Sequence, residues 1–205
     1  MDQGTPEWHA ARLGKITASG FSNMMKVTRT SESTYKTKYR HELAIERLTG
    51  KVANEVFINQ FMRDGIEREP IARQLFVAKS GFNVDEVGFI DHPSITMSGA
   101  SPDGIIKSED AVLEIKCPTP TTHFNNLLAS NMPSNYKYQV QWQIACTGSK
   151  KAYFCSYNPN YPERFQLKIV EVARDDKMIS EMEAAARQFN IEIEDLIIKL
   201  ENING

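Results

Sequence analysis

A chain of 205 residues with 41% hydrophobic and 24% charged residues has the composition of a globular protein that buries a sizeable core without staples. No apolar run approaches the ~18–20 residues of a membrane span. The opening Met1-Asp2-Gln3-Gly4-Thr5-Pro6 lacks the charged and apolar regions of a signal peptide, so a cytoplasmic protein without membrane partners is expected. Three widely spaced cysteines, Cys117, Cys146 and Cys155, contain no C-x-x-C pair and read as reduced thiols, with neither a disulfide frame nor a zinc site. The net charge of −2 hides a split: residues 1–80 carry 13 Lys/Arg against 9 Asp/Glu, residues 81–205 carry 11 against 17. Lys26, Arg29, Lys36, Lys38 and Arg40 face only Glu32 locally, a patch able to follow a phosphate backbone or to form a solvated helix face.

In chain order, Thr5-Pro6-Glu7-Trp8 predicts a capped helix running to about Leu13 and stopping near Gly14. Thr17-Ala18-Ser19 opens a second helix through about Met25. Arg12, Thr17 and Ser19 then gather around a turn and a helix start, a place suited to an anion. Residues 28–33 read as a polar loop. Residues 35–48 have helical spacing and end at Gly50. Residues 57–78 are helical again, with interruptions expected at Gly65 and Pro70, because an internal proline costs about 3 kcal/mol. Glu69 would sit at that break. Strands are expected at 83–90, 95–100, 112–117, 151–157 and 165–172. Helices are expected at 122–129 and 134–147, the second bearing an aromatic and amide stripe of Tyr138, Gln139, Trp142 and Gln143. An acidic amphipathic helix from Asp176 to about Glu201 would dock on this subunit or a neighbour. The whole reads as one domain, 1–205: N-terminal helices to residue 80, a sheet core over 81–174, and the terminal helix over 175–205.

The chemistry concentrates in Ser101-Pro102-Asp103-Gly104 and Val112-Leu113-Glu114-Ile115-Lys116-Cys117. Strand alternation places Glu114 and Lys116 on one face and turns Leu113 and Ile115 into a core. A hairpin through Lys107-Ser108-Glu109-Asp110 returns Asp103 beside Glu114. Two carboxylates are hard oxygen ligands for Mg²⁺ or Mn²⁺, and a neighbouring lysine can orient or deprotonate a water and offset phosphate charge. The same residues also fit a solvated surface pair worth about 0–1 kcal/mol. Other motif fragments fail: His41-Glu42-Leu43-Ala44-Ile45 lacks the second histidine of a zinc protease. Gly99-Ala100-Ser101-Pro102-Asp103 lacks the closing glycine of a nucleophile elbow, and no phosphate-binding P-loop is present.

Taken together, the residues resemble the phage lambda exonuclease family, the alkaline exonucleases of phage recombination within the PD-(D/E)XK nuclease superfamily. The resemblance runs through Trp8-His9, Arg12-Leu13-Gly14, Ile16-Thr17-Ala18-Ser19 and Gly65 to Glu69. It continues in Ala72-Arg73, Leu75-Phe76, Ser101 to Gly104, Leu113 to Pro118 and Gln139-Val140-Gln141. It implies an α/β fold, a mixed sheet flanked by helices on a restriction-endonuclease-like core. The implied activity is a Mg²⁺-dependent exonuclease, Mn²⁺ substituting, with two ions per site, that digests one strand of duplex DNA from its 5′ end. Implied partners are double-stranded DNA ends, two further copies in a homotrimeric ring, and a single-strand annealing protein in bacterial or phage-infected host cytosol. By the same resemblance Asp103, Glu114, Glu69 and the Ile115 carbonyl hold metal, and Lys116 aids the water. Glu69 and Gln139 complete the catalytic set, and Arg12, Ser19 and Ser101 bind the 5′-phosphate. Past Ile169 the match is loose. The expected activity is therefore a 5′→3′ exonuclease that leaves 3′ overhangs, its rivals being an endonuclease of the same superfamily and a non-catalytic end-binding protein.

Overall fold

A computed structural model describes residues 2–26, 33–54 and 60–203 of the chain. The predicted 28–33 loop therefore lies outside the described residues except for Ser33, as do Arg29 and the first residues of the predicted 57–78 helix. Helix α1 (Pro6–Arg12) starts where the sequence places it, the Thr5 hydroxyl accepting the Trp8 N–H at 3.3 Å. Ile16–Thr17 then forms a two-residue strand, β1, before the Thr17 hydroxyl caps a 3₁₀ turn, Ala18–Gly20, that leads into α2 (Phe21–Met24). Helix α3 (Thr34–Thr49) closes on Gly50 in the left-handed region, and α4 spans Gln60–Ser80.

Two sheets carry the rest. Strands β2 (Ile90–Asp91) and β3 (Ser98–Ala100) join β1 in the order β1-β3-β2. A Cβ on Gly99 would run into the Ile90 carbonyl and the Phe89 ring, so glycine is what lets β2 and β3 close together. The larger sheet runs β4 (Gly104–Ile106), β5 (Ala111–Lys116), β6 (Lys151–Tyr157), β7 (Leu167–Ala173). The β4–β5 and β6–β7 pairs are antiparallel, and β5–β6 is parallel. A parallel pair needs a crossover, and helices α5 (Pro120–Leu128) and α6 (Lys137–Thr147) lie between β5 and β6 in the chain.

Strand β5 is covered on both faces, as central parallel strands are. Val112 packs into one core with Phe21, Trp142, Phe154 and Phe189, whereas Leu113 and Ile115 pack into a second with Phe76, Tyr153 and Tyr157. Glu114 follows Val112 on the first face and is only 1% exposed.

Several expectations change. Helix α4 continues through Pro70, held by Ala72 and Phe76, both fully buried, two and six residues on. Packing thus outweighs the local cost of the proline. No strand spans 83–90: Asp85 makes a single antiparallel bridge to Ile105, and Phe82 and Val84 serve the second core through their side chains instead. The expected 95–100 strand shortens to β3 because Met97 takes a positive φ of 54°. The start of the 165–172 strand is a helical turn, α7 (Glu163–Gln166), and residues 134–136 are 3₁₀ rather than α.

Helix α8 (Asp176–Ile203) docks on this subunit, against α3 and α6, through Ile179, Met182, Ala186, Phe189 and Ile193. The basic N-terminal patch is drawn into this docking rather than left open. Lys36 and Arg40 both pair with Glu192, at 3.1 and 2.9 Å, and Arg47 pairs with Glu194 at 2.8 Å. Lys38 pairs with Glu42, and the Lys26 ammonium lies over the Tyr35 ring. Among the described residues, no helix is long and apolar enough to cross a membrane.

Docking through one stripe makes a sharp stability contrast. Ile193→Ala, at a fully buried position, should destabilise by about 2–5 kcal/mol. Ile198→Ala, at a position 52% exposed, should change stability by no more than about 0.5 kcal/mol. Urea unfolding midpoints of the two variants check this.

Candidate active site

The β4–β5 hairpin builds the acidic centre. Its register pairs Gly104 with Leu113, and the Asp103 N–H donates to the Leu113 carbonyl at 3.0 Å. Asp103 Oδ2 in turn accepts the Ile115 N–H at 2.6 Å, so the carboxylate is bolted to the backbone between Glu114 and Lys116. Lys116 Nζ lies 2.5 Å from Glu114 Oε1. Helix α6 supplies two amides to the same carboxylate: Gln139 Nε2 donates to Oε1 and Gln143 Nε2 to Oε2, each at 2.5 Å. Glu69, on α4, pairs with Arg73 at 2.6 Å, and Arg73 Nε also donates to the Asp103 carbonyl at 3.0 Å.

These groups do not sit at ease without a cation. Burial, then the charges of Glu114 and Glu69, raise the Asp103 pKa well above the usual aspartate range. Burial also raises Glu69, with Glu114 adding to it and Arg73 opposing. Burial opposes the charge on Lys116, but Glu114 and Asp103 outweigh it and the pKa rises. Lys116 thus donates hydrogen bonds and positive charge to the acids of the metal-free cluster. Among the described residues no three His, Cys, Asp or Glu side chains converge closely enough to hold an ion on their own. Asp103 and Glu114 could supply two hard oxygens, leaving further positions for water or phosphate as Mg²⁺ prefers. The raised Asp103 is what a cation would relieve, so the donor set fits a hard divalent ion. Such an ion would compete with Lys116 for Glu114.

A stability test follows from that crowding. Ionising Asp103 destabilises the metal-free fold, and because its folded pKa is raised the penalty grows as pH climbs from the unfolded-state value through the folded one. Asp103→Asn keeps the acceptor for Ile115 and removes the charge. In a chelator at neutral pH it should melt higher than wild type, by about 2–4 °C per kcal/mol relieved, while losing that pH slope. Thermal melts across pH 4–8 measure both.

A second group of residues lies two positions upstream of Asp103. Ser101 Oγ accepts from Trp8 Nε1 at 2.9 Å and from Arg12 Nη1 at 3.1 Å. The Arg12 guanidinium lies 4.1 Å over the Trp8 ring and 5.9 Å from that of Phe89. Burial lowers the Arg12 pKa, and no carboxylate among the described residues pairs with it. A half-buried arginine with aromatic walls and no acid is a place for an incoming anion.

The sequence-predicted residues thus fall into two clusters. Asp103, Glu114, Lys116 and Gln139 gather at the hairpin, with Glu69 close enough to act on Asp103 by its charge; at Ile115 it is the N–H that bonds Asp103, whereas the expectation concerned its carbonyl. Arg12 and Ser101 meet as a second pair. Ser19 is joined to neither; its hydroxyl is exposed, 3.3 Å from that of Thr17. It does line a cleft of about 500 Å³ that also includes Gln139, Lys26, Asn135 and Tyr136. Two site residues went unassigned in the sequence. Gln143 stands one helical turn after Gln139, a spacing that signals a shared face. Trp8 is an aromatic one turn before Arg12, a pattern far more common in cores.

Residues 7–150 match the model of the YqaJ-like viral recombinase domain. The alkaline exonuclease LHK-Exo from Laribacter hongkongensis is 38% identical, with 98% of each chain covered and a TM-score of 0.89. The structure of that enzyme in complex with dAMP matches with the same values. A phage-related exonuclease from Haemophilus somnus 129PT, 15% identical, shares the fold with a TM-score of 0.72 over 91% of this chain and 96% of its own. No curated protein sequence matches the chain significantly. With Asp103, Glu114 and Lys116 on one hairpin edge, the chain belongs to the YqaJ-like viral recombinase family, among the lambda-exonuclease-like nucleases of phage-type recombination built on the PD-(D/E)XK fold.

Proposed function

We propose that this protein is a Mg²⁺-dependent 5′→3′ exonuclease acting on one strand of linear duplex DNA from 5′-phosphorylated ends. The observation that carries the reading is Arg12, a half-buried guanidinium without an acid, bonded to Ser101 only two residues before Asp103. Two residues span at most about 7 Å, within the spacing of consecutive phosphates along a strand. An end phosphate at Arg12 therefore brings the next phosphodiester to Asp103 and Glu114. A terminal phosphate carries more charge than an internal diester, so Arg12 favours ends over interior positions.

Asp103 and Glu114 are the residues that would hold Mg²⁺, or Mn²⁺ in its place, and Glu69, now paired with Arg73, is the acid that would help to hold a second ion. The bound ion supplies positive charge to the phosphate and acidifies a nearby water. Gln139 and Gln143 hold the Glu114 carboxylate in one orientation. The Lys116 ammonium orients the attacking water and neutralises charge that accumulates on the phosphate oxygens. Water adds to phosphorus, the bond from phosphorus to the 3′ oxygen of the terminal nucleotide breaks, and that oxygen takes a proton. The leaving product is a 5′-mononucleotide, the class to which the dAMP held by the Laribacter enzyme belongs. The remaining strand again ends in a 5′-phosphate, ready for Arg12. Repetition leaves the 3′ overhang that a single-strand annealing protein would pair. A homotrimeric ring would keep the enzyme on its strand between cuts.

Linear 5′-phosphorylated duplex with Mg²⁺ should be digested to mononucleotides, and closed circular duplex should stay intact. Lys116→Ala should lower turnover about 10²–10⁴-fold while still binding ends, measured by gel-resolved digestion beside equilibrium binding. Arg12→Ala should be slow on both kinds of end and lose most of the preference for 5′-phosphate over 5′-hydroxyl. Release of internal fragments from circles, or an unchanged end preference in Arg12→Ala, would overturn the reading.

A further inference from the structure

We infer that Trp8 is a positioning residue of the end-recognition pocket, and that its indole N–H fixes the Ser101 hydroxyl as a hydrogen-bond donor toward the 5′-phosphate. The inference rests on the proposed role of Arg12 and Ser101. A serine hydroxyl has two lone pairs and one proton. Both lone pairs of Ser101 Oγ are filled, by Trp8 Nε1 at 2.9 Å and by Arg12 Nη1 at 3.1 Å. Indole and guanidinium are donors only, so neither can take the serine proton. Among the described residues no acceptor for that proton is found, and Ser101 is not fully buried. The O–H must therefore point at solvent or at a ligand, and the ligand must be an acceptor.

The same tryptophan acts twice. Its ring lies under the Arg12 guanidinium at 4.1 Å, which stacks the planar fork, and among the described residues the Arg12 N–H groups not bonded to Ser101 meet no acceptor. Donors from two side chains then converge with no acceptor among them. Phosphate oxygens offer only acceptors, whereas a 5′-hydroxyl would have to share its one oxygen among these donors. Discrimination between the two ends is thus set partly by a residue that need not touch the DNA.

The test is equilibrium binding of a blunt duplex oligonucleotide, 5′-phosphorylated or 5′-hydroxyl, in chelator so that no turnover intrudes. Trp8→Phe keeps a ring beneath Arg12 and deletes the N–H. It should lose about threefold to tenfold of the phosphate preference, the size of one oriented hydrogen bond. Ser101→Ala should lose a similar factor, and the double variant no more than the larger single loss, because both changes remove the same donor. Site-specific benzothienylalanine at position 8, equal in shape to tryptophan but without the N–H, should reproduce the Trp8→Phe result even if that variant folds poorly. An undiminished preference with either ring replacement, or multiplying losses in the double variant, overturns the role of Trp8. Arg12→Ala separates the two levels. If it keeps the preference, the pocket itself is misplaced; if it loses the preference while both ring replacements keep it, only the role of Trp8 falls.

Discussion

The structure turns on one carboxylate placed where an apolar side chain would ordinarily lie. Glu114 occupies the fourth position of a strand whose neighbours Val112, Leu113 and Ile115 are all core residues, and it is 1% exposed. A buried charge of this kind is tolerated only when its oxygens are bonded and its charge is met. Gln139, Gln143 and Lys116 do this together. The requirement explains why α6 must cross that face of β5, and why amides rather than more aliphatic residues stand on its inner side.

The arrangement has a consequence for activity. Every partner of Glu114 is a donor, while its neighbour Asp103 receives one backbone N–H and lies within the fields of two other acids. Ionising Asp103 in the metal-free state is therefore unfavourable, the condition that the proposed divalent cation would relieve. Stability and chemistry pull in opposite directions at Asp103, as they often do at active centres.

Around this centre the molecule separates its charges by use. The uneven distribution along the sequence looks like a basic surface for nucleic acid, yet much of it is consumed inside the chain, where Glu192 and Glu194 of α8 meet Lys36, Arg40 and Arg47. Arg73 is likewise tied to Glu69 and Glu86. Arg12 is different: aromatic rings and a hydroxyl surround it, and no carboxylate among the described residues pairs with it, which is what recommends it as the proposed seat of the end phosphate.

Much of this was legible in the sequence by itself. The Thr5-Pro6 helix start, the left-handed stop at Gly50, the hairpin that returns Asp103 to Glu114, and the apolar stripe of α8 all follow from local rules of capping, turn chemistry and periodicity, and the order of short motifs carried the family. Local rules failed where packing decides. Pro70 sits inside a continuous helix because Ala72 and Phe76 anchor it beyond the proline, and the 83–90 stretch gives a strand only Ile90, with one bridge at Asp85, while the Val84 side chain packs on a core. The fate of the basic patch needed the position of Glu192, more than 150 residues away. Gln143 and Trp8 belong to the site only because tertiary contacts aim their N–H groups, at Glu114 and at Ser101. A sequence records which groups can donate and accept; which donor meets which acceptor is settled by the packing of segments far apart in the chain.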